Sequence, residues 1–312
     1  MNILVVLLLI IFAFPSSGYA FWVWTPETNK WVNPKFSVKE TPSEQLTYAK
    51  EIFEAGDYEI ARKEFSKLLK HYPKSRESAE AQYLIGRCYE AQKNYADANK
   101  AYQLVIDKYP FSELAAEVVE RQYKMAEGLL EGGDKKTWMQ TVTGSDFQIV
   151  EIFRAVIKNA PYGKYAAPAQ YKIGLYLKEK SLYQEARDEF EKTMNDYPGT
   201  EWAKAAKYQV AVVDSIRSSK AQYDQNVTST AVEEFQKFLK EHPETELSDQ
   251  AKDQIKLLRD KEAENGFLIG EFYEKQKRPK SAKIYYDTVI NDYSDTIWAA
   301  KALERIRSME IK

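Results

Sequence analysis

Apolar positions recur along the chain at spacings that fit α-helices, and the helices come in pairs. A small residue is followed twelve positions later by alanine, four later by an aromatic ring and eight later by proline. The set stands at Ala49, Ala61, Phe65, Pro73, again at Gly86, Ala98, Tyr102, Pro110, and again at Gly174, Ala186, Phe190, Pro198. A further copy, Gly270, Ala282, Tyr286, has Ser294 where proline is expected. Two stretched copies lie between them: Ala126 with Phe153 and Pro161, and Ala211 with Ala231, Phe235 and Pro243. Each copy predicts two antiparallel helices, because axes packed about 8–10 Å apart need a small side chain at their crossing. Proline ends the second helix, since it lacks an N–H and pushes the preceding residue out of helical geometry. The segments HYPKS, KYPFS, DYPGT and EHPET are therefore helix stops. The Ser or Thr two residues past each proline (Ser75, Ser112, Thr200, Thr245) is placed to cap the next helix.

A helical hairpin cannot bury its apolar face alone, so neighbours must stack. The pattern resembles the tetratricopeptide repeat over residues 43 to 309. That resemblance implies an all-α, right-handed superhelical solenoid of about six hairpins, at residues 43–75, 76–112, 113–163, 164–200, 201–245 and 246–296, with a capping helix at 297–309. Helix stops are separated by 37, 51, 37, 45 and 51 residues, so 37 is the common unit and the extras are 14, 8 and 14. One extra falls in EGGDKKTWMQTVTGSD (131–146), expected as a loop or short helix inside repeat three. Another is SSKAQYDQNV (218–227) in repeat five, and the last lengthens the first helix of repeat six to about 30 residues.

Ahead of the repeats, Ile3 to Phe14 form an apolar run followed by Pro15 and the small-x-small triplet Gly18-Tyr19-Ala20. The run is shorter than the about 20 apolar residues that span a bilayer. Residues 1–20 therefore read as a secretory leader cut after Ala20, with retention as an uncleaved anchor as the alternative. The next segment, 21–42, begins FWVWTPETNKWVNPKF and holds three of the six tryptophans, Trp22, Trp24 and Trp31. Alternating aromatics on either side of TPETN predict a short two-stranded hairpin. Such a hairpin is marginal alone. Two readings stand: the tryptophans cover the open flank of repeat one, or they dock a partner or the membrane interface, where tryptophan is favoured.

Charge and rare residues narrow the function. Forty-five basic against forty-seven acidic side chains argue against a phosphate-tracking surface, so nucleic acid is not an expected partner. Cys88 is the single cysteine, which excludes an intramolecular disulfide and a lipidated cysteine after the leader. Without a partner histidine it reads as a small core residue. His71 and His242 sit at the ends of second helices, where a cation is mildly favourable. Metal-ligand spacings, phosphate loops and nucleophile elbows are missing, and carboxylates alternate with lysine as on solvated faces. No catalytic, cofactor-binding or metal residue is expected, and the chain is read as a non-enzyme.

One feature goes beyond scaffold. Three residues before each small position stands Leu46, Tyr83, Tyr123, Tyr171, Tyr208 or Phe267, turned to one side of the hairpin contact. In tetratricopeptide proteins that face lines the concave groove. With Arg87 beside them, these residues form either an aromatic ladder that grips an extended peptide or the packing between successive first helices. The turn KQKRPK (275–280) reads as a docking point for an acidic partner or as a solvated turn.

The stretches AGDYEIARKEFSKLLKHYPKS, AQYLIGRCYEAQKNYADANKAYQLVIDKYPFS and AQYKIGLYLKEKSLYQEARDEFEKTMNDYPGT together resemble the BamD family, tetratricopeptide lipoproteins of outer-membrane β-barrel assembly. The resemblance implies a scaffold on the periplasmic side of the outer membrane in a Gram-negative-type bacterium. Its implied partners are a barrel-assembly membrane protein, joined through polypeptide-transport-associated domains, and unfolded outer-membrane proteins. The first three repeats would receive substrate segments and the later ones the machinery. The family's lipidated cysteine is missing here, so membrane association would run through partners or the tryptophan segment, and six repeats exceed the family's usual five. The alternative resemblance is to the CpoB family of periplasmic coordinators of envelope constriction and peptidoglycan synthesis.

Overall fold

The computed structural model describes residues 22–25, 30–32, 37–131, 148–220 and 225–310. The expected leader, residues 1–20, and the expected insertion of repeat three lie outside or almost wholly outside them. The chain divides into two compact units, Met1–Val118 and Val119–Lys312.

In the first unit, α1 (Pro42–Glu54) pairs with α2 (Tyr58–His71), and α3 (Ser78–Ala91) with α4 (Tyr95–Lys108). Its core gathers Leu46, Ala49, Ala61, Phe65, Leu68, Ala81, Ile85, Cys88 and Ala101. Next comes α5 (Leu114–Glu131), most of which belongs to the second unit. There follow α6 (Gln148–Asn159), α7 (Ala166–Glu179), α8 (Tyr183–Asp196), α9 (Glu201–Lys220), α10 (Gln225–Glu241), α11 (Glu246–Lys275), α12 (Pro279–Asp292) and α13 (Ile297–Glu310). The fold is an all-α tetratricopeptide stack, with α11 reaching 30 residues and α13 closing the end. The expected insertion at 218–227 is largely taken up by helix, since α9 runs to Lys220 and α10 begins at Gln225.

The hairpin contact is tight. A Cβ added at Gly86 would lie 2.5 Å from the Tyr102 ring, one at Gly174 2.6 Å from Phe190, and one at Gly270 2.5 Å from Tyr286. Seven residues after the small position, the turn between the two helices takes a left-handed residue: Gly56 (φ 87°), Lys93 (58°), Ser181 (62°) and Lys277 (56°). Of these four, Gly56 is the glycine, the residue that adopts this conformation without a Cβ penalty.

The caps follow the expectation at three of four stops. Thr245 forms a capping box with Ser248, Thr200 Oγ1 accepts from the Ala203 amide at 3.1 Å, and Ser112 Oγ from the Leu114 amide at 3.3 Å. Ser75 is the exception: α3 starts later, with Glu77 at the N-cap position, and Ser75 instead bonds the Ser78 hydroxyl, which reaches back to the Tyr72 carbonyl.

At the amino-terminal end, β1 (Val23–Thr25) pairs antiparallel with β2 (Lys30–Val32), Trp24 opposite Trp31. Their rings meet edge-on at 5.6 Å. The expectation that the tryptophans cover repeat one is not met, because Trp22, Trp24 and Trp31 remain 56, 41 and 63% exposed. Residues just before α1 tie that flank instead: the Tyr72 hydroxyl donates to the Lys39 and Glu40 carbonyls, and the Lys39 amide donates to Gln45 at 2.9 Å.

The helix crossing supplies a test with opposite signs. Gly86→Ala should destabilise by about 1–3 kcal/mol through overpacking against Tyr102. Gly128→Ala, also in a helix but with open space at its Cβ, should stabilise by up to about 1 kcal/mol through the better helix propensity of alanine. Urea denaturation of both variants reads the difference.

Candidate polypeptide-binding face

Leu46, Tyr83, Tyr123, Tyr208 and Phe267 are only 5–7% exposed, and Tyr171 is half-buried. Each aromatic ring leans on the aromatic of its own second helix: Tyr83 on Tyr102 (5.8 Å between centroids), Tyr123 on Phe153 (5.8 Å), Tyr171 on Phe190 (5.6 Å), Tyr208 on Phe235 (5.7 Å) and Phe267 on Tyr286 (5.5 Å). In three cases a second ring arrives from the start of the next repeat: Tyr165 against Tyr123 (4.7 Å), Trp202 against Tyr171 (5.5 Å) and Trp298 against Phe267 (5.4 Å). The rings are packing elements, and what a ligand could reach is their outer edge. Burial pushes the hydroxyls of Tyr123, Tyr171 and Tyr208 above the usual phenol range, so they stay protonated. The Tyr83 hydroxyl donates to Glu117, and that of Tyr123 to Glu127 at 3.2 Å.

Charged side chains border the rings as matched pairs. In the first unit, Lys50 meets Glu80 at 2.5 Å, while Arg87 sits 3.9 Å from Glu90 and over the Phe53 ring at 5.9 Å. In the second, Lys172 meets Glu127 at 2.9 Å, Arg305 meets Glu271 at 2.9 Å, and the Lys178 ammonium donates to Gln209 at 2.6 Å. Burial lowers the Lys178 pKa from its ordinary value. Solvent-exposed pairs are worth only about 0–1 kcal/mol. Exchanging one member for a carboxylate or amine of a bound polypeptide therefore costs little, and a surface of mixed sign suits peptides better than polyanions.

The groups considered for chemistry are set in unreactive states. Cys88 is fully buried, and burial pushes its thiol up to about 12, so the thiolate needed for nucleophilic attack is scarce at neutral pH. Desolvation lowers the pKa of His242, whose ring packs on Phe238 at 5.2 Å. Burial therefore works against a cation at this helix end. Among the described residues, no group of three or more His, Cys, Asp or Glu side chains is placed to hold a metal ion.

Two sets of residues escaped the sequence reading. A buried glutamine precedes the ladder residue in four repeats, as Gln45, Gln82, Gln122 and Gln170. Three of them donate to the carbonyl of the residue 19 positions on: Gln45 to Glu64 (3.1 Å), Gln82 to Ala101 (3.0 Å) and Gln170 to Glu189 (3.5 Å). The fourth, Gln122, accepts from Asn159 at 3.0 Å. The signal was the recurrent Gln-Tyr or Gln-Leu pair. Tyr165, Trp202 and Trp298 shared a signal too, each standing four residues past a helix-stop position.

Residues 49–113 and 168–200 match family models of the tetratricopeptide repeat, and residues 210–310 match the YfiO model, described as an outer membrane lipoprotein. These are repeats of protein-binding scaffolds, and the families are typically non-enzymatic. No curated protein matches significantly. Similar solved structures include the C-terminal part of a TPR repeat-containing protein from Cytophaga hutchinsonii, 13% identical, covering 84% of this chain and 88% of that one with a TM-score of 0.36. A tetratricopeptide repeat protein from Parabacteroides merdae is 13% identical over 80% of this chain and 93% of its own, with a TM-score of 0.34. YrrB, described as a TPR protein with an unusual peptide-binding site, is 16% identical over 67% and 90%, with a TM-score of 0.34.

The burial of the ladder separates packing from contact. Tyr208→Ala should cost about 3–5 kcal/mol as a large-to-small core change. Tyr208→Phe should stay within about 1.5 kcal/mol, since only a hydroxyl is lost. Arg87→Ala, on the half-exposed border, should shift stability by no more than about 0.5 kcal/mol. Urea midpoints measure all three.

Proposed function

We propose that this chain is an exported, non-enzymatic scaffold that holds other polypeptides during assembly of outer-membrane β-barrel proteins. The observation that carries this reading is the match of residues 210–310 to the YfiO model, on a chain whose earlier residues match tetratricopeptide repeats. The apolar run at Ile3–Phe14, ending in Gly18-Tyr19-Ala20, supports export to the periplasmic side of the outer membrane. The partners in this reading are a barrel-assembly membrane protein and unfolded outer-membrane proteins. Segments of the latter lie along the first helices of each unit, over the edges of Leu46 and Tyr83 in the first and of Tyr123, Tyr171, Tyr208 and Phe267 in the second, and exchange ion pairs with side chains such as Lys50 and Arg87. Because the one cysteine is buried, attachment to the membrane runs through partners and through the open tryptophans Trp22, Trp24 and Trp31, whose rings suit a lipid–water interface.

Photo-crosslinkers placed at Lys50 and Arg87 of the full chain in intact cells test this. The expected adducts are a barrel-assembly protein or an unfolded outer-membrane protein, on a chain that begins at Phe21. A double Lys50→Glu, Arg87→Glu variant should cut the yield about tenfold, as reversed charge opposes docking. Adducts confined to Tol-Pal components or cell-wall synthases would overturn the reading in favour of envelope constriction.

A further inference from the structure

The 30-residue helix α11 serves two neighbours in succession. Its first half packs on α9 and α10, with Ala251, Ile255 and Leu258 entering a core with Tyr208, Ala211, Phe235 and Phe238. Its second half uses another side: Ala263, Phe267 and Gly270 face α12 and α13. Alternating steps of four and three residues link Ala251, Ile255 and Leu258, and the same steps continue through Glu262, Asn265, Ile269 and Phe272. That spacing gives a seam that keeps close to one side of a helix, with the polar Glu262 and Asn265 standing between two apolar ends. The extra 14 residues carry its later part about 21 Å along the axis.

There the seam lies open. Phe272 is 56% exposed, Leu268 beside it is 49% exposed, and Ile269 is half-buried. In repeats two, four and five the residue two positions after the small one is Cys88, Tyr176 or Val213, and all three are buried; Phe272 holds that position in repeat six. A stacked pair, Tyr273 on Tyr285 (5.4 Å, 14° between planes), stiffens one border, and Phe272 meets Tyr273 edge-on at 5.6 Å. Immediately beyond stand the exposed cations Lys277, Arg278 and Lys280, with Lys275 lying 4.0 Å from Glu271, while Glu271 and Glu274 are also engaged by Arg305.

We infer that the open half of this seam docks an amphipathic α-helix of a partner protein, its apolar stripe on Leu268, Ile269 and Phe272 and its acidic flank on the basic turn. The same side of α11 already receives helices at Ala251, Ile255 and Leu258, which sets the kind of occupant. Charge sets the flank. An apolar stripe laid into such a seam is the helix-in-groove mode of recognition.

The probe is a synthetic helix of about three heptads with leucine at a and d and glutamate at e and g, compared with its lysine-flanked twin. Fluorescence anisotropy with the full chain should show the glutamate helix binding at least about tenfold tighter than the twin. Phe272→Asp should weaken it about tenfold or more, as loss of a central apolar anchor does. A double Lys277→Glu, Arg278→Glu variant should erase the preference for glutamate. Both changes fall on exposed residues, so circular dichroism and melting should match the parent chain. Equal binding by the parent and Phe272→Asp would overturn the inference. So would a concentration-dependent dimer abolished by Phe272→Asp in sedimentation, which would make the face an interface between copies, or Phe272-dependent binding to phosphatidylglycerol vesicles, which would make it a lipid contact.

Discussion

The structure depends on the approach of each first helix to its second at a residue too small to keep them apart. At Gly86, Gly174 and Gly270 an aromatic ring fills the space a Cβ would need. Closing that distance seats the ring of the second helix under the first, where it meets the ladder residue on the adjacent side. The ladder residues are therefore core by the same geometry that makes the hairpin. The buried glutamines fasten the contact further, since an amide inside a hairpin must find a partner and the carbonyl across from it is the one in reach.

This constraint shapes the open surface by subtraction. One side of a first helix is consumed by its hairpin partner, and Tyr165, Trp202 and Trp298 claim part of the next. What is left in each unit is a border of half-exposed charged side chains paired with one another, such as Lys50 with Glu80 in the first and Arg305 with Glu271 in the second. Such a border has little intrinsic preference for one sequence. It suits the holding of varied polypeptides, and the burial of Cys88 keeps the one thiol out of that exchange.

Where the repeat unit is lengthened, the same packing rules leave a surface unmatched. The additional turns of α11 let one helix complete two neighbours, and the side that served the first runs on past it. Length added inside a helix thus exposes apolar side chains such as Leu268 and Phe272, whereas length added near residues 218–227 extends α9 and α10.

Much was legible because it is local. Proline at a helix stop, a small residue at a crossing and threonine at a cap act within a few residues, so the helical hairpins, the 30-residue α11 and the two-stranded hairpin around TPETN could be read from the chain. Ser75 shows the limit, because α3 begins only once Ser78 has bonded back to Tyr72. The depth of Tyr123 and Phe267 was not legible, since it depends on rings delivered by the following repeat. Nor was the openness of the tryptophans, because Tyr72 and Lys39 had already closed the flank they were expected to cover. The sequence by itself determined where helices start, stop and pair. Only the tertiary structure decided which faces stay open, because exposure depends on what a distant segment brings to the other side.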